Sequence, residues 1–307
     1  MWFKNLKLYR LAPGADLSVS SLNDALRTTQ FQPCGSQDSQ SSGWVPPDHA
    51  DGMLVYFQGG MYEGCQMLIR LRTEKRLLPA SVVNLATRER ARQIEEQQGY
   101  KPGRKQTKEI KEQVTMELLP KAFVTQSDTN VWIDTKNGWF VIDASTANKS
   151  DEVLGLLAKT LTPFPVVPLH VEMSPGTAMT LWLSEDEAPA GFTIDQDTQL
   201  QSTGESRASV RYQRQTVDVD EARRHIQAGK QCTRLAMTWN DRVSFVLTEN
   251  LDIKRVAPLD VLKEHQDAQA ANEAEQFEAD FALMAGELAR LLDDLVAALG
   301  GERRGES

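Results

Sequence analysis

The sequence is poor in the residues that most active-site chemistry requires. Its three cysteines, Cys34, Cys65 and Cys232, are odd in number and far apart, which excludes a disulfide framework and a Cys-x-x-Cys zinc site and favours a reducing compartment. The four histidines, His49, His170, His225 and His265, include no pair at the i, i+4 spacing that sets two metal ligands on one helix face. No glycine-rich turn followed by Lys and Ser/Thr is present to hold nucleotide phosphates. Ser36, within Cys34-Gly35-Ser36-Gln37, lacks the Gly-x-Ser-x-Gly pattern of a nucleophile turn and has no assignable base. No stretch approaches the roughly 18 uninterrupted apolar residues of a membrane span. We therefore expect a cytoplasmic protein without catalytic activity, cofactor, metal or membrane contact.

What the chain does have is a core. Hydrophobic residues make up 40% of its 307 positions, enough for one large domain or two or three smaller ones. The net charge of −9 argues, taken alone, against a polyanionic partner, because nucleic-acid binders need local positive potential to displace counterions. The distribution of that charge argues the other way. Residues 70–122 contain thirteen Lys and Arg against seven Glu, a local surplus of six positive charges, whereas residues 241–307 contain fifteen acids and seven bases. One basic region stands on an acidic protein.

Periodicity sets the expected elements. Residues 3–11 read as a strand and 20–28 as a short helix with Leu22, Ala25 and Leu26 inward. Residues 33–47, rich in turn formers, read as a polar loop pinned by Trp44. Residues 55–57 and 67–72 read as strands paired around Gly59-Gly60, and Pro79 opens a helix to about Gln98 that Gly99, Pro102 and Gly103 stop. A second helix, about 107–119, sets Ile110, Val114 and Leu118 on one face, so that the two form a helical hairpin. Residues 132–134 and 139–143 flank Asn137-Gly138, which suits the positive φ angles of a tight turn. Further expectations are a helix at 151–161, a strand at 166–171, a strand near Val210, a helix at about 219–228 and a hairpin of 233–238 with 243–247 around Asn240-Asp241. A last helix repeats Phe277, Phe281, Met284, Leu288, Leu291, Leu295 and Ala298 at spacings of four and three, which fits either a core-packed helix or a subunit contact. No internal repeat is visible, and the pattern predicts an α+β protein built on antiparallel sheets. It divides into 1–75 (an N-terminal α+β part of a central region), 76–125 (the basic hairpin), 126–185 (the rest of the central region) and 186–307 (a C-terminal α+β region with terminal helices).

Candidate functional residues follow from charge. Arg104, Lys108 and Lys111 stand at i, i+4 and i+7 and share a helix face that phosphates could approach; Arg88 and Arg92 form a similar pair, and Lys101 and Lys105 belong to the same basic block. The alternative is an ordinary solvated surface on which these cations pair with Glu89, Glu95, Glu96, Glu109 and Glu112. Arg211-Tyr212-Gln213-Arg214-Gln215 mixes phosphate-binding cations with amide donors, which makes Arg211, Arg214 and Gln215 a second candidate patch. Phe123, just beyond the break at Pro120, is expected to be exposed and suited to a partner contact. Asp134 and Asp143 could in principle share a divalent cation, as nuclease carboxylates do, although turn and strand-end roles suit them better.

Several segments, in order and at matching spacing, resemble the RdgC family of recombination-associated proteins. They are Trp2-Phe3-Lys4-Asn5-Leu6 with Tyr9-Arg10-Leu11, Pro33-Cys34-Gly35-Ser36-Gln37-Asp38, Gly43-Trp44-Val45-Pro46-Pro47, Leu118-Leu119-Pro120-Lys121-Ala122-Phe123, Trp132-Ile133-Asp134, Pro165-Val166-Val167-Pro168-Leu169, Ala228-Gly229-Lys230 and Phe281-Ala282-Leu283-Met284. The resemblance spans essentially the whole chain. It implies a horseshoe-like subunit whose hairpin is a tip or gate and whose C-terminal region is a base, pairing at both ends into a ring-shaped homodimer with Phe123 at one contact. It also implies a positively charged hole that surrounds double-stranded DNA without reading sequence, location at the nucleoid, and competition with the RecA recombinase. A basic lining on an acidic protein fits the charge distribution. Two features depart from the family pattern: Gly99-Tyr100-Lys101-Pro102-Gly103 interrupts a stretch that is more continuously helical and basic in relatives, and Gln213 stands where relatives usually carry a cation. The runner-up function is a metal-dependent nuclease acting on recombination intermediates.

Overall fold

The computed structural model describes residues 2–15, 17–58, 65–204, 207–263 and 272–303. The first half of the chain contains β1 (Asn5–Leu11), α1 (Val19–Arg27), β2 (Gln40–Val45), β3 (Val55–Phe57), β4 (Gln66–Leu77), α2 (Ala80–Gln98), α3 (Arg104–Leu118), β5 (Phe123–Asp134), β6 (Trp139–Asp143), α4 (Ala147–Thr160) and β7 (Val166–Pro168). The second half adds α5 (Pro175–Glu185), β8 (Phe192–Ser202), β9 (Ser209–Tyr212), α6 (Val219–Gln227), β10 (Lys230–Trp239), β11 (Val243–Thr248), β12 (Ile253–Pro258), α7 (Asp260–Lys263) and α8 (Glu273–Ala298). Gly59-Gly60, around which β3 and β4 were expected to turn, lies outside the described residues.

The fold is α+β, as expected, but its strands form one sheet rather than several. Twelve strands run in the order β2-β4-β5-β6-β1-β12-β11-β10-β8-β9, with β3 added at β4 and β7 at β1. The two halves meet where β1 pairs with β12 through Asn5↔Lys254 and Leu6↔Ile253. Alternation along each strand separates two cores. Met67, Ile69, Val131, Ile133, Phe140 and Ile142 face α1 and α4, represented by Leu22, Leu26, Val153 and Leu157. Leu68, Trp132, Trp139, Leu235, Met237, Phe245 and Leu247 form the other core with α5 and α8.

The last helix resolves the alternative left open by its spacing. Phe277, Phe281, Met284, Leu288, Leu291 and Leu295 are all buried within the chain. Polar contacts fix the helix across both halves: Trp139 Nε1 donates to Asp293, Trp239 Nε1 donates to Asp294, and the buried Glu287 accepts a bidentate pair from Arg242 at 2.8 Å and a further bond from Arg290.

Several local expectations are corrected. Within the expected loop at 33–47, Gln40–Val45 is a full strand on β4. Gly43 permits it, since a Cβ there would stand 2.3 Å from the Cα of Phe31. At Asn137-Gly138 only the glycine has positive φ, at 73°. The turn is set instead by Asp134, whose carboxylate accepts from the backbone N–H groups of Lys136 and Asn137, both at 3.0 Å, and from Asn137 Nδ2. The strand expected to reach Val171 ends at Pro168, and Val171 forms only an isolated bridge with Glu302. Helix α3 begins at Arg104 and α4 at Ala147, earlier than their apolar periodicity indicates.

Candidate nucleic-acid interface

The basic hairpin stands away from the sheet on a stem. β4 and β5 pair continuously from Gln66↔Asp134 to Leu77↔Phe123, but β6 accompanies β5 only over Val131 to Asp134. The outer part is a ribbon flanked by β2 alone, up to Gln40↔Lys75. The helices at its end have a small core of their own, Val83, Ile110 and Val114 with Leu78, Ala86, Ala91, Ile94 and Leu118. The stem is tied by Arg76, whose guanidinium donates to the carbonyls of Leu119, Pro120, Cys34 and Gly35 at 3.2 to 3.4 Å. Beside it the buried Glu74 accepts from Gln126 Nε2 at 2.7 Å and the Cys34 N–H at 2.8 Å. Those two bonds, that of Gln126 foremost, hold its carboxyl below the ordinary value.

Ion pairing sorts the cations of this region into two groups. On β4, Arg70 makes a bidentate pair with Asp48 and thereby lowers the carboxyl's pKa. Arg72 makes a bidentate pair with Asp128, and Lys75 pairs with Glu152 at 3.1 Å. On the arm, Arg90 bridges to Glu117 across the two helices, while Arg92 pairs with Glu96 and Lys108 with Glu112 along one helix each. Arg92 and Lys108 thus have the glutamate partners that the solvated-surface alternative expects. Arg88, Lys101, Arg104, Lys105 and Lys111 are exposed, and no ion pair joins them to any described residue. Arg104 and Lys105 occupy the first turn of α3, at the positive end of its dipole, with no acidic residue in that turn. That arrangement costs a few tenths of a kcal/mol or more per charge. These cations do not serve the helix, and they remain available to an external anion.

Phe123, at the root of the arm, is 84% exposed, and Leu77, its strand partner, is 52% exposed. Facing each other across the ribbon, they make an apolar pair on an otherwise charged element.

The second patch lies on β9 and beyond it. Arg211 is the third residue of that strand; Arg214 and Gln215 follow in an exposed loop where the Arg214 N–H donates to Asp197 at 3.0 Å. With its amide oxygen turned toward Arg211, Gln213 accepts from that guanidinium at 2.9 and 3.2 Å and so orients it. Residue pairing aligns Arg211, Gln199, Arg234 and Thr248 in a row across four strands, on the face away from α5 and α8. Lys254 and Arg255 of β12 lie nearby, the latter paired with Asp197 at 3.1 Å. Arg234, Lys254 and Arg255 were not singled out from sequence. The available signal was alternation, since Arg234 precedes buried Leu235 and Lys254 follows buried Ile253.

The two patches are not contiguous. β5 and β9 are separated by seven strand steps, about 34 Å at roughly 4.8 Å per step. Asp134 and Asp143 are also kept apart. Asp134 pairs with Trp139, and Asp143 lies at the opposite end of the same strand, about 14 Å further on at ~3.4 Å per residue. Asp143 accepts the backbone N–H groups of Lys4 and Asn5, and its burial raises its pKa. One cation cannot be held by both carboxylates. No group of three or more potential metal ligands occurs among the described residues, and no described helix is long and apolar enough to cross a membrane.

Comparison with known proteins places the chain among recombination proteins. Residues 1–302 match the family model described as "RdgC: Putative exonuclease, RdgC". The chain is 59% identical over 304 residues to the recombination-associated protein RdgC of Bordetella parapertussis, covering 99% of this chain and 100% of that one. Proteins of the same name from Cupriavidus necator and Paraburkholderia phymatum are 57% and 54% identical, over 99% and 98% of this chain and 100% and 97% of theirs.

Proposed function

Since the chain belongs to the RdgC family, we propose that it is a non-catalytic protein that binds double-stranded DNA without regard to sequence during recombination. In this function two copies close into a ring around the duplex and limit access of a RecA-type recombinase at the nucleoid. The observation that carries the proposal is the set of arm cations that no described residue pairs with, Arg88, Lys101, Arg104, Lys105 and Lys111. A projecting element with surplus positive charge attracts phosphates, while the net negative charge elsewhere disfavours nonspecific adhesion. The row through Arg211 and Arg234 supplies a second set of phosphate contacts far from the first, as expected of a protein that follows a duplex around its circumference. The exposed apolar root at Phe123 and Leu77 is suited to meet its counterpart in a second subunit, since a two-fold contact uses the same patch twice.

The test is a salt titration on two unrelated duplexes, comparing wild type with a variant carrying Ala at Arg104, Lys105, Lys108 and Lys111. Affinity should fall steeply with salt and equally on both duplexes. The variant's slope of log affinity against log salt should be shallower by about 0.9 for each phosphate that it no longer neutralises. Equal slopes would show that DNA does not touch the arm, and a strong preference for one duplex would overturn sequence independence.

A further inference from the structure

The arm ends in an aromatic residue that the duplex-binding function does not use. Helix α2 stops at Gly99, whose φ of 81° turns the chain out of the helix. Tyr100 follows at 64% exposure, and it makes no hydrogen bond or ring contact with a described residue. The tip is sterically open, since a Cβ built at Gly99 or Gly103 would meet nothing within 4 Å. Within five residues stand three exposed cations, Lys101, Arg104 and Lys105. The nearby Glu96 is already paired with Arg92 at 3.1 Å.

We infer that Tyr100 is a stacking platform for an unpaired nucleobase, and that it gives the arm tip a preference for DNA whose base stack is interrupted. An exposed tyrosine holds a large flat surface with only two side-chain torsions to restrain. Every base offers it a π-face, which makes such stacking tolerant of sequence. In an intact duplex those faces are covered by neighbouring base pairs, so the ring gains a partner only at a bubble, a gap, a frayed end or a single strand. The flanking cations favour a polyanion as the source of that partner. Tyr100 can act this way only on an arm that contacts DNA, as proposed above.

The full-length protein is titrated with a duplex and with the same duplex carrying a short mismatched bubble that contains 2-aminopurine. One stacked base corresponds to at least about fivefold tighter binding. Wild type should show that preference for the bubble and quench the 2-aminopurine. Tyr100→Phe should keep both effects. Tyr100→Ala should lose both while binding the intact duplex as before. Absence of the preference in wild type, or its persistence in Tyr100→Ala, overturns the role of Tyr100. If the Arg104, Lys105, Lys108 and Lys111 to Ala variant keeps wild-type salt dependence, the arm does not hold DNA and the observation that carries the duplex-binding reading falls with it; a shallower slope in that variant without bubble preference in wild type removes Tyr100 alone. Tyr100-dependent binding to phosphatidylserine vesicles without a bubble preference assigns the tip to a membrane surface and also overturns the inference.

Discussion

Trp139 and Trp239 lie in opposite halves of the sheet, yet their indole N–H groups donate to adjacent residues of one helix, at 3.0 Å to Asp293 and 2.8 Å to Asp294. Both rings are almost completely buried. α8 therefore joins the halves on its own face, where the backbone seam of β1 with β12 is only two residue pairs long.

Replacing Asp293 or Asp294 by Ala should destabilise the protein by about 1–3 kcal/mol each, because each change leaves a buried N–H without an acceptor. Urea unfolding followed by tryptophan fluorescence reads this directly. Loss from one variant of a partial transition belonging to one half would show that the helix couples the two; midpoints equal to wild type would show that water replaces the carboxylates.

The row on the second half predicts a DNA contribution independent of the arm. Arg234→Ala and Arg211→Ala should each weaken binding to random and defined duplexes alike and lower the salt slope by about 0.9 per phosphate released. Neither should unfold the protein, since no described carboxylate pairs with either guanidinium. An unchanged slope in both would remove this face from the DNA path.

Phe123→Ser should shift the sedimentation of the free protein toward monomer and speed dissociation from covalently closed plasmid, while leaving the salt slope near that of wild type. A ring opened at one contact keeps its phosphate interactions but loses closure. Wild-type sedimentation together with wild-type dissociation would show that the exposed root of the arm is not a subunit contact.

Glu74 makes the stem sensitive to acid. Its folded pKa is lowered from the ordinary value of 4.5, so its ionised form contributes stability that is fully present above that value and is lost as pH falls through the folded one. Hydrogen exchange at the Cys34 N–H and the Gln126 side-chain amide should therefore rise as pH falls below 4.5, before the sheet core opens. In Glu74→Gln this acid-dependent step should be absent. If the variant and wild type respond identically, the loosening belongs to other carboxylates.

Much of the architecture was legible in local chemistry. The 3.6-residue period of Ile110 and Val114, with glycine and proline at the break, identified a helical hairpin, and the spacing from Phe277 to Leu295 identified the long helix. Elements whose pattern depends on partners were harder to read. β8 carries Asp195, Asp197 and several Gln along its length and is a strand because β10 and β9 satisfy its backbone. α5 has a start signal at Ser174-Pro175, but it is buried at Ala178, Met179, Trp182 and Leu183, and its outer stripe of Thr177, Thr180, Leu181 and Ser184 carries no charge to set it off from the buried face.

By itself, the sequence determined the α+β class, the basic segment within an acidic chain and the exposure of Phe123, because composition and short-range periodicity carry that information. Only the tertiary structure decided which charges are free. Arg70, Arg72 and Lys75 find carboxylates on Asp48, Asp128 and Glu152, 22, 56 and 77 residues away, whereas Arg104, Lys105 and Lys111 find none among the described residues. It also separated Asp134 from Asp143 along a strand, and placed Arg234 beside Gln199 and Arg211. Charge pairing acts over a few ångströms in space, and only folding determines which distant residues come within that range.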